Sequence, residues 1–255
     1  MKSEERRVKS EKRFGLIGKR LDYSFSKNYF SRKFEKENIN ASYENLEVEN
    51  LNNLKKIIGE NKVSGFNVTI PFKEKIIPLL DSMGNSAQEI GAVNCVEITA
   101  DKKWVGHNTD IIGFKKSLEN FIENERPIAL IFGTGGASQA VQYVFKKLDI
   151  SFQLVSRKKN SDFISYNSLT KDLIAKHRLL INTTPLGTYP NIEDCIDIPY
   201  EYITKNNFCF DLVYNPEKTE FLRRSQKQGA KIQNGAEMLE IQAEESWEIW
   251  TKSHS

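Results

Sequence analysis

Residues 128–160 read IALIFGTGGASQAVQYVFKKLDISFQLVSRKKN, with an apolar run, a glycine-rich turn, a helical pattern and a second apolar run. The first run covers 128–132 and the second covers 152–155. Between them, apolar side chains recur at helical spacing: Ala137, Ala140, Val141, Val144, Phe145 and Leu148. This order predicts a strand, a turn, a helix and a second strand, which is the unit that builds parallel α/β sheets.

The glycine turn predicts a binding site for a dinucleotide. Gly133, Gly135 and Gly136 allow the backbone to turn tightly and to approach a phosphate closely. The helix that follows directs its free N–H groups at this turn, as pyrophosphate sites require. Ser138 occupies the position where such motifs usually have a third glycine. The alternative is a strand-to-helix turn without a ligand, and the complete strand–turn–helix–strand context favours the dinucleotide.

The residues after the second strand predict the phosphorylated cofactor, NADP. NAD-binding folds place an acid here for the ribose hydroxyls, whereas this chain has Ser156, Arg157, Lys158 and Lys159. An acid would repel a 2′-phosphate, and a basic pair would attract one. A solvated basic loop is the alternative for this cluster.

The composition is ordinary for a soluble globular protein. The chain has 255 residues, of which 39% are hydrophobic and 28% charged, and its net charge of +3 is too small to indicate nucleic-acid binding. No apolar run is long enough to span a membrane. Three widely spaced cysteines, at 95, 195 and 209, predict reduced thiols in a cytoplasmic protein. The three histidines do not cluster, so we expect no metal site.

Short apolar runs alternate with helical patterns along the chain, which predicts two α/β lobes. The first half has predicted strands at 14–18, 42–48, 64–70 and 94–99, and predicted helices at 28–37, 50–59 and 72–80. A linking helix over 110–123, strands near 179–183 and 208–213, and a last helix over 236–250 complete the pattern. We predict a disordered tail over 1–12, a first lobe over 13–109, a Rossmann-like lobe over 110–235, and a C-terminal helix over 236–255 that packs back on the first lobe.

Several polar residues allow both a structural and a ligand-binding interpretation. Lys73 follows a predicted strand and Asp110 begins the linking helix, so an exposed lysine and a first-turn acid are the structural alternatives. Ser24 and Ser26 stand at the start of the first helix, where hydroxyls either bind an anion or cap the helix. Gln242 lies on the apolar stripe of the last helix and requires a hydrogen-bond partner, either a ligand or a backbone carbonyl.

From about Phe14 to Trp250 the chain resembles shikimate dehydrogenases. The resemblance rests on Ser24 with Ser26, NVTIPFK (67–73), GAVN (91–94), GHNTD (106–110), GTGGAS (133–138), INTTPLG (181–187), DLVYNP (211–216) and NGAEML (234–239). It implies a substrate-binding lobe followed by an NADP-binding lobe. It also implies the reversible NADPH-dependent reduction of 3-dehydroshikimate to shikimate, in the chorismate pathway of aromatic amino acid biosynthesis.

The resemblance further implies roles for particular residues. Lys73 and Asp110 would be the catalytic pair, and which of them is the formal acid–base group is left open. The substrate would be bound by Ser24, Ser26, Thr69, Asn94 and Gln242. The cofactor would be bound by Gly133, Gly135, Gly136, Ala137, Ser138, Ser156, Arg157, Lys158, Val213, Tyr214, Gly235 and Met238.

Two alternative functions remain at the level of the sequence. A quinate/shikimate dehydrogenase of broader specificity would act on a ring that differs by one hydroxyl. A non-catalytic nucleotide-binding regulator would have no reason to keep both Lys73 and Asp110. We expect a small-molecule substrate, no nucleic-acid or membrane partner, and either a monomer or a homodimer.

Overall fold

The computed structural model describes residues 11–21, 24–123, 125–157 and 162–252, and they form two compact units. The first unit comprises the described residues up to 109 and from 242 onward, and the second comprises those between 110 and 241. Each unit contains one six-stranded sheet with helices packed on it. The predicted α/β class with two lobes is confirmed.

The first unit has a mixed sheet of strand order β2-β1-β3-β5-β6-β4. Its strands are β1 (Lys12–Gly18), β2 (Ala41–Glu47), β3 (Val63–Val68), β4 (Ser82–Met83), β5 (Cys95–Ile98) and β6 (Trp104–His107). Its first three helices are α1 (Phe25–Lys36), α2 (Leu54–Glu60) and α3 (Asn85–Ile90). Strands β2, β1 and β3 are parallel, and β5 runs antiparallel to both β3 and β6.

The predicted helix over 72–80 is wrong. The Ile76 N–H donates to the Phe72 carbonyl (2.9 Å), and a short 3-10 helix, Ile77–Leu79, follows. Pro78 has no N–H group to continue an α-helical ladder. Lys73 therefore lies in a turn rather than in the first turn of a regular helix. Lys12, which we predicted as the last residue of the tail, is the first residue of β1.

The two faces of the first sheet carry separate cores because side chains alternate along each strand. Phe66 and Val68 of β3 pack with the buried residues of α2 and α3 on one face. The other face is covered by α1 and by α8 (Ala236–Lys252), whose Trp250 stacks on Phe14 at 4.8 Å between ring centroids. The Trp250 indole Nε1 donates to the Val96 carbonyl (3.0 Å). A Cβ atom on Gly65 would lie 2.4 Å from Trp250 Cδ1, so only glycine admits this indole.

The second unit has a parallel sheet of order β12-β11-β10-β7-β8-β9. Its strands are β7 (Ala129–Phe132), β8 (Phe152–Ser156), β9 (Phe163–Ser165), β10 (Leu179–Asn182), β11 (Phe208–Asp211) and β12 (Lys231–Gln233). Its helices are α4 (Thr109–Ile122), α5 (Gly136–Lys147), α6 (Lys171–Lys176), α7 (Glu220–Lys227) and the start of α8. The strand order reverses between β7 and β10, and ligands of doubly wound sheets bind at that point.

Replacement of Gly65 by alanine should lower the free energy of unfolding by about 1–3 kcal/mol, because the added methyl group overlaps the Trp250 indole. Urea denaturation followed by tryptophan fluorescence measures the change. Gly59→Ala is the matched control: it lies in α2 with nothing within 4 Å of a new Cβ, and should stabilise the protein by about 0.5–1 kcal/mol. A Gly65→Ala protein as stable as the parent would contradict the described packing of α8.

Candidate active site

The predicted substrate residues of the first unit include a buried amide, Asn94, that joins distant segments. Its side chain is only 2% exposed. The Oδ1 atom accepts from the Thr109 N–H (2.7 Å), and the Nδ2 atom donates to Thr109 Oγ1 (3.0 Å). The Thr109 N–H is one of the groups at the start of α4 that have no partner within the helix. Asn94 thus satisfies the N-terminus of α4 from the loop before β5.

Helix α8 brings two further polar side chains to this amide. Gln242 Oε1 accepts from Asn94 Nδ2 (3.4 Å) and from Thr109 Oγ1 (3.3 Å). Ser246 lies one turn later, and its Oγ is 3.2 Å from Thr109 Oγ1 and donates to the Gln242 carbonyl (2.9 Å). All four side chains are buried. The structure thereby brings together Asn94 and Gln242, which are 148 residues apart in the chain.

The two serines at the start of α1 have different surroundings. Ser24 is the N-cap, and its side chain accepts from the Lys27 N–H (3.3 Å). Ser26 is the second residue of the helix, so the alternative that Ser26 is the cap is wrong. The N-terminus of α1 therefore presents two hydroxyls beside the free N–H groups of the helix, and such a set of donors suits an anion.

The turn that carries Lys73 is attached to the loop of Asn94. The Lys73 carbonyl accepts from the Val93 N–H (2.8 Å). Thr69 follows β3, and its N–H donates to the Ile17 carbonyl (2.9 Å). The side chains of Thr69 and Lys73 are both half-buried.

Asp110 directly follows Thr109 in the first turn of α4, where the helix dipole favours a negative charge. It is half-buried. Lys73 belongs to the first unit and Asp110 is the first residue of the second.

The three glycines of the turn in the second unit differ in their surroundings. The backbone conformation requires glycine at one position, and the other two positions have open space where a side chain would be. Gly133 has φ +109°, and a Cβ atom there would lie 2.7 Å from Thr183 Oγ1. Gly135 is the N-cap of α5 and Gly136 is its first residue. No atom lies within 4 Å of a Cβ at either position. The N-terminus of α5 therefore has room for a phosphate group to approach.

A cavity of about 610 Å³ lies at this turn. Its walls come from loops at the carboxyl ends of β7, β8 and β10, together with two further segments: 133–135, 155–157, 165–167, 183–186 and 195–197. Its volume lies in the usual range for cofactor sites. All of its walls belong to the second unit.

Ser156 and Arg157 line one part of this cavity, as the cofactor prediction requires. Tyr166 lines it too; burial raises the pKa of its phenol, and the charge of the neighbouring Arg157 partly offsets that rise. Lys158 lies outside the described residues. Ala137 and Ser138 are not among the residues of the cavity wall. The Ser138 side chain is fully buried and accepts from Gln142 Nε2 (3.1 Å).

The residues predicted beside the nicotinamide lie around the loop after β11. The Gly235 N–H donates to the Val213 carbonyl (3.2 Å), and a Cβ on Gly235 would lie 2.3 Å from the Leu212 carbonyl oxygen. The structure therefore brings Val213 and Gly235 together. Tyr214 is half-buried, and burial raises its pKa. Met238 is half-buried on α8.

Comparison with known proteins identifies the family. A family model described as the shikimate dehydrogenase substrate binding domain matches residues 16–96. Over 250 residues the chain is 35% identical to the shikimate dehydrogenase (NADP(+)) of Staphylococcus aureus strain MSSA476, covering 94% of this chain and 92% of that protein. The chain belongs to the shikimate dehydrogenase family.

Solved structures of similar proteins extend the likeness to the whole fold. Shikimate 5-dehydrogenase from Thermus thermophilus, crystallised with NADP(H) and shikimate, has a TM-score of 0.81 and 28% identity over 94% of each chain. Quinate dehydrogenase from Corynebacterium glutamicum, in complex with NAD, has a TM-score of 0.85 and 25% identity, covering 95% of this chain and 94% of that one. The family predicted from the sequence motifs is confirmed.

Sequence reasoning did not assign several residues that the structure adds to the site of this family member. Asn67 and Thr109 lie inside the motifs NVTIPFK and GHNTD, and Ser246 shares the helical stripe of Gln242, so weak signals existed for these three. No sequence signal indicated Tyr43 or Tyr166.

In the part of the chain that is described, no group of three or more His, Cys, Asp or Glu side chains could hold a metal ion. Within the same residues, no helix is long and apolar enough to cross a membrane.

A buried carboxylate, Asp211, organises two loops of the second unit. Its Oδ1 accepts from Asn182 Nδ2 (3.0 Å) and from the Val213 N–H (3.0 Å), and its Oδ2 accepts from Thr219 Oγ1 (2.6 Å). Burial raises the pKa of Asp211 to about 6, although the three donors favour the charged form.

This pKa predicts a pH-dependent stability. Because the folded-state pKa is raised from the ordinary 3.8, the protonated form stabilises the fold below about pH 4, and this contribution is lost as the pH rises through about 6. Between pH 4 and 6.5 the parent should lose about 2 kcal/mol more than Asp211→Asn. Urea denaturation across this range measures the difference. The exposed Asp149→Asn variant should follow the parent; parallel curves for Asp211→Asn and the parent would refute the assignment.

Proposed function

We propose that this protein reversibly reduces 3-dehydroshikimate to shikimate with NADPH, as a shikimate dehydrogenase of aromatic amino acid (chorismate) biosynthesis. The observation that carries the proposal is the 35% identity to a shikimate dehydrogenase (NADP(+)), which extends over 94% of this chain. The predictions of an oxidoreductase, of this activity and of NADP as the cofactor are confirmed at the level of the family. The roles of single residues are carried over from the family resemblance, and the buried contacts of Asn94 and Gln242 support theirs.

The first unit would bind the substrate. Ser24 and Ser26, with the free N–H groups of α1, would bind the carboxylate. Thr69, Asn94 and Gln242 would hydrogen-bond the ring hydroxyls and the reacting oxygen. Asn94 and Gln242 suit this task because their amides, which both donate and accept, are held by buried partners.

Lys73 and Asp110 would handle the proton at the reacting oxygen. The Lys73 ammonium would polarise the ketone and donate a proton to its oxygen, and its positive charge would stabilise a developing alkoxide. Asp110 would hold that ammonium and accept a hydrogen bond from the adjacent substrate hydroxyl. Asn94 supports both residues indirectly, since its loop bonds the Lys73 carbonyl and its side chain holds Thr109.

The residues of the second unit fit NADP. The N-terminus of α5, with Gly133, Gly135 and Gly136, would hold the pyrophosphate. Ala137 and Ser138 would contribute through their backbone, because their side chains are not on the cavity wall. Ser156, Arg157 and Lys158 would hold the 2′-phosphate. Val213, Tyr214, Gly235 and Met238 would line the nicotinamide, which supplies or receives the hydride when the cofactor is bound.

Broader specificity toward quinate is the second candidate, and the likeness to the quinate dehydrogenase fold favours it. Cys95, Cys195 and Cys209 are thiols rather than disulfides, which supports a cytoplasmic location. A monomer or a homodimer fits equally.

The direct test follows the absorbance of reduced nicotinamide when shikimate or quinate is mixed with NADP or NAD. Lys73→Ala should lower the turnover rate by about 10²–10⁴-fold, because the proton donor and the charge are lost. Asp110→Ala should also slow turnover, and the double variant should be little worse than the poorer single one. Lys75→Ala, an exposed lysine two residues away, is the control and should keep the parent rate. Full activity of Lys73→Ala would remove the proposed mechanism.

Arg157→Ala should raise the apparent KM for NADP by about 10- to 100-fold, since a charge-assisted contact to a phosphate is lost. The KM for NAD, which has no 2′-phosphate, should stay nearly unchanged. Arg126→Ala removes an exposed arginine outside the cavity and should change neither value. Equal kinetics with NADP and NAD in the parent would refute the proposed role of Arg157.

A further inference from the structure

The hydroxyl group of Thr109 lies where the loop of Asn94 and helix α8 meet the start of α4. Its Oγ1 is 3.0 Å from Asn94 Nδ2, 3.3 Å from Gln242 Oε1 and 3.2 Å from Ser246 Oγ. Thr109 is 0% exposed. A ligand therefore meets this hydroxyl only through the residues around it.

The bonds of this hydroxyl have a definite direction. The Thr109 N–H can only donate, so the atom of the Asn94 amide that faces it at 2.7 Å is the oxygen, and the amide nitrogen faces Thr109 Oγ1. The hydroxyl accepts from that nitrogen and has one proton of its own to donate. Asn94 Oδ1, at 3.3 Å, already accepts the shorter N–H bond. The other two acceptors in reach, Gln242 Oε1 and Ser246 Oγ, both belong to α8.

The neighbouring serine of α8 is an acceptor for Thr109 because its own proton is used elsewhere. Ser246 Oγ donates to the Gln242 carbonyl one turn earlier (2.9 Å) and accepts from Asn67 Nδ2 (2.9 Å). Asn67 is in turn held by Tyr43, whose hydroxyl donates to Asn67 Oδ1 (2.8 Å). This part of α8 is thus fixed from β3, next to the Thr109 hydroxyl.

The arrangement orients two amides at once. A turn of 180° about the last side-chain bond would exchange the oxygen and the nitrogen of either amide. In Asn94 that turn would place an NH₂ group against the Thr109 N–H, so two donors would face each other. In Gln242 it would place an NH₂ group, which cannot accept, against the donors of Asn94 and Thr109. Either turn would leave buried polar groups unpaired, which is unfavourable.

We infer that Thr109 is a positioning residue of the substrate site, whose hydroxyl fixes the orientation of the Asn94 and Gln242 amides and thereby the pattern of donors and acceptors that the substrate hydroxyls meet. The inference rests on the proposed binding of those hydroxyls by Asn94 and Gln242. Groups that are oriented before binding lose less entropy when the ligand arrives. Thr109 does not contact the substrate, so its effect passes through the two amides.

Thr109→Val tests the inference, because valine has nearly the same shape and lacks the hydroxyl. It should raise the KM for shikimate by about 10- to 50-fold, since Asn94 Nδ2 and the acceptors of α8 lose a partner. The KM for NADP should stay within about 2-fold, because the proposed cofactor residues belong to the second unit. Thr109→Ser keeps the hydroxyl and loses only a methyl group, so it should restore the KM for shikimate to within about 3-fold of the parent.

Thr170→Val is the matched control. Thr170 also stands at the start of a helix, α6, where its side chain accepts from the Leu173 N–H (3.3 Å), so valine should lower the free energy of unfolding there too. Thr170 belongs to the other unit and is not on the cavity wall, so the KM for shikimate should stay at the parent value. An equal rise of this KM in Thr170→Val and Thr109→Val would show that it follows stability, and would overturn the inference.

A double-mutant cycle tests whether Thr109 acts through the amides. Gln242→Met removes one amide and keeps the length of the side chain. In that background Thr109→Val should raise the KM for shikimate by a factor about three times smaller than in the parent. Equal factors in the two backgrounds would overturn the inference. The dissociation constant for shikimate, measured by calorimetry, replaces the KM for any variant that turns over too slowly, and Thr109→Ala replaces a valine variant that does not fold.

The remaining outcomes separate this inference from the proposed function. A parent that oxidises shikimate, with an unchanged KM in Thr109→Val, overturns this inference alone. A Thr109→Ser protein with a KM as high as that of Thr109→Val does the same, because the hydroxyl would then not be the deciding group. A parent inactive on shikimate overturns the proposed function as well.

Discussion

The buried carboxamide of Asn94 is the interaction on which the proposed substrate site depends most. It holds the N-terminus of α4 through Thr109 and meets Gln242 of α8, so one side chain joins three segments. A substitution that left its partners buried and unpaired would cost about 1–3 kcal/mol for each group. This loop holds one proposed catalytic residue directly and the other through the residue before it. The Lys73 carbonyl is bonded to Val93, and Asp110 follows Thr109.

A second buried group, the carboxylate of Asp211, has a similar task in the other unit. It binds Asn182, whose own Oδ1 accepts from the N–H (3.0 Å) and the hydroxyl (2.7 Å) of Thr184. Thr184 lines the cavity. Asp211 also binds Val213, which lies in the loop after β11 and is bonded to Gly235. The conformations of both loops therefore depend on one desolvated charge. A buried charge is tolerated only where donors surround it, and here three donors do so.

Four glycines of this fold stand at their positions for different physical reasons. At Gly65 a side chain would overlap the Trp250 indole. At Gly133 the positive φ and the close approach of Thr183 both require glycine. Gly135 and Gly136 differ, because no protein atom requires their lack of a side chain. Their open surroundings are consistent with a ligand as the reason for glycine at these two positions.

The sequence alone determined the class of fold, the glycine turn with its strands and helix, the family and the basic residue Arg157. These features depend on local periodicity and on short motifs, which the order of residues expresses directly. It misled us over 72–80, where apolar spacing resembled a helix but Pro78 interrupts the hydrogen-bond ladder. It also led us to weigh Ser26 as the cap, which is Ser24. Only the tertiary structure decided that Gln242 and Ser246 of α8 form one cluster with Asn94 and Thr109. Contacts between residues more than 100 positions apart depend on how strands and helices pack, and no local pattern encodes which polar side chains that packing will bury together.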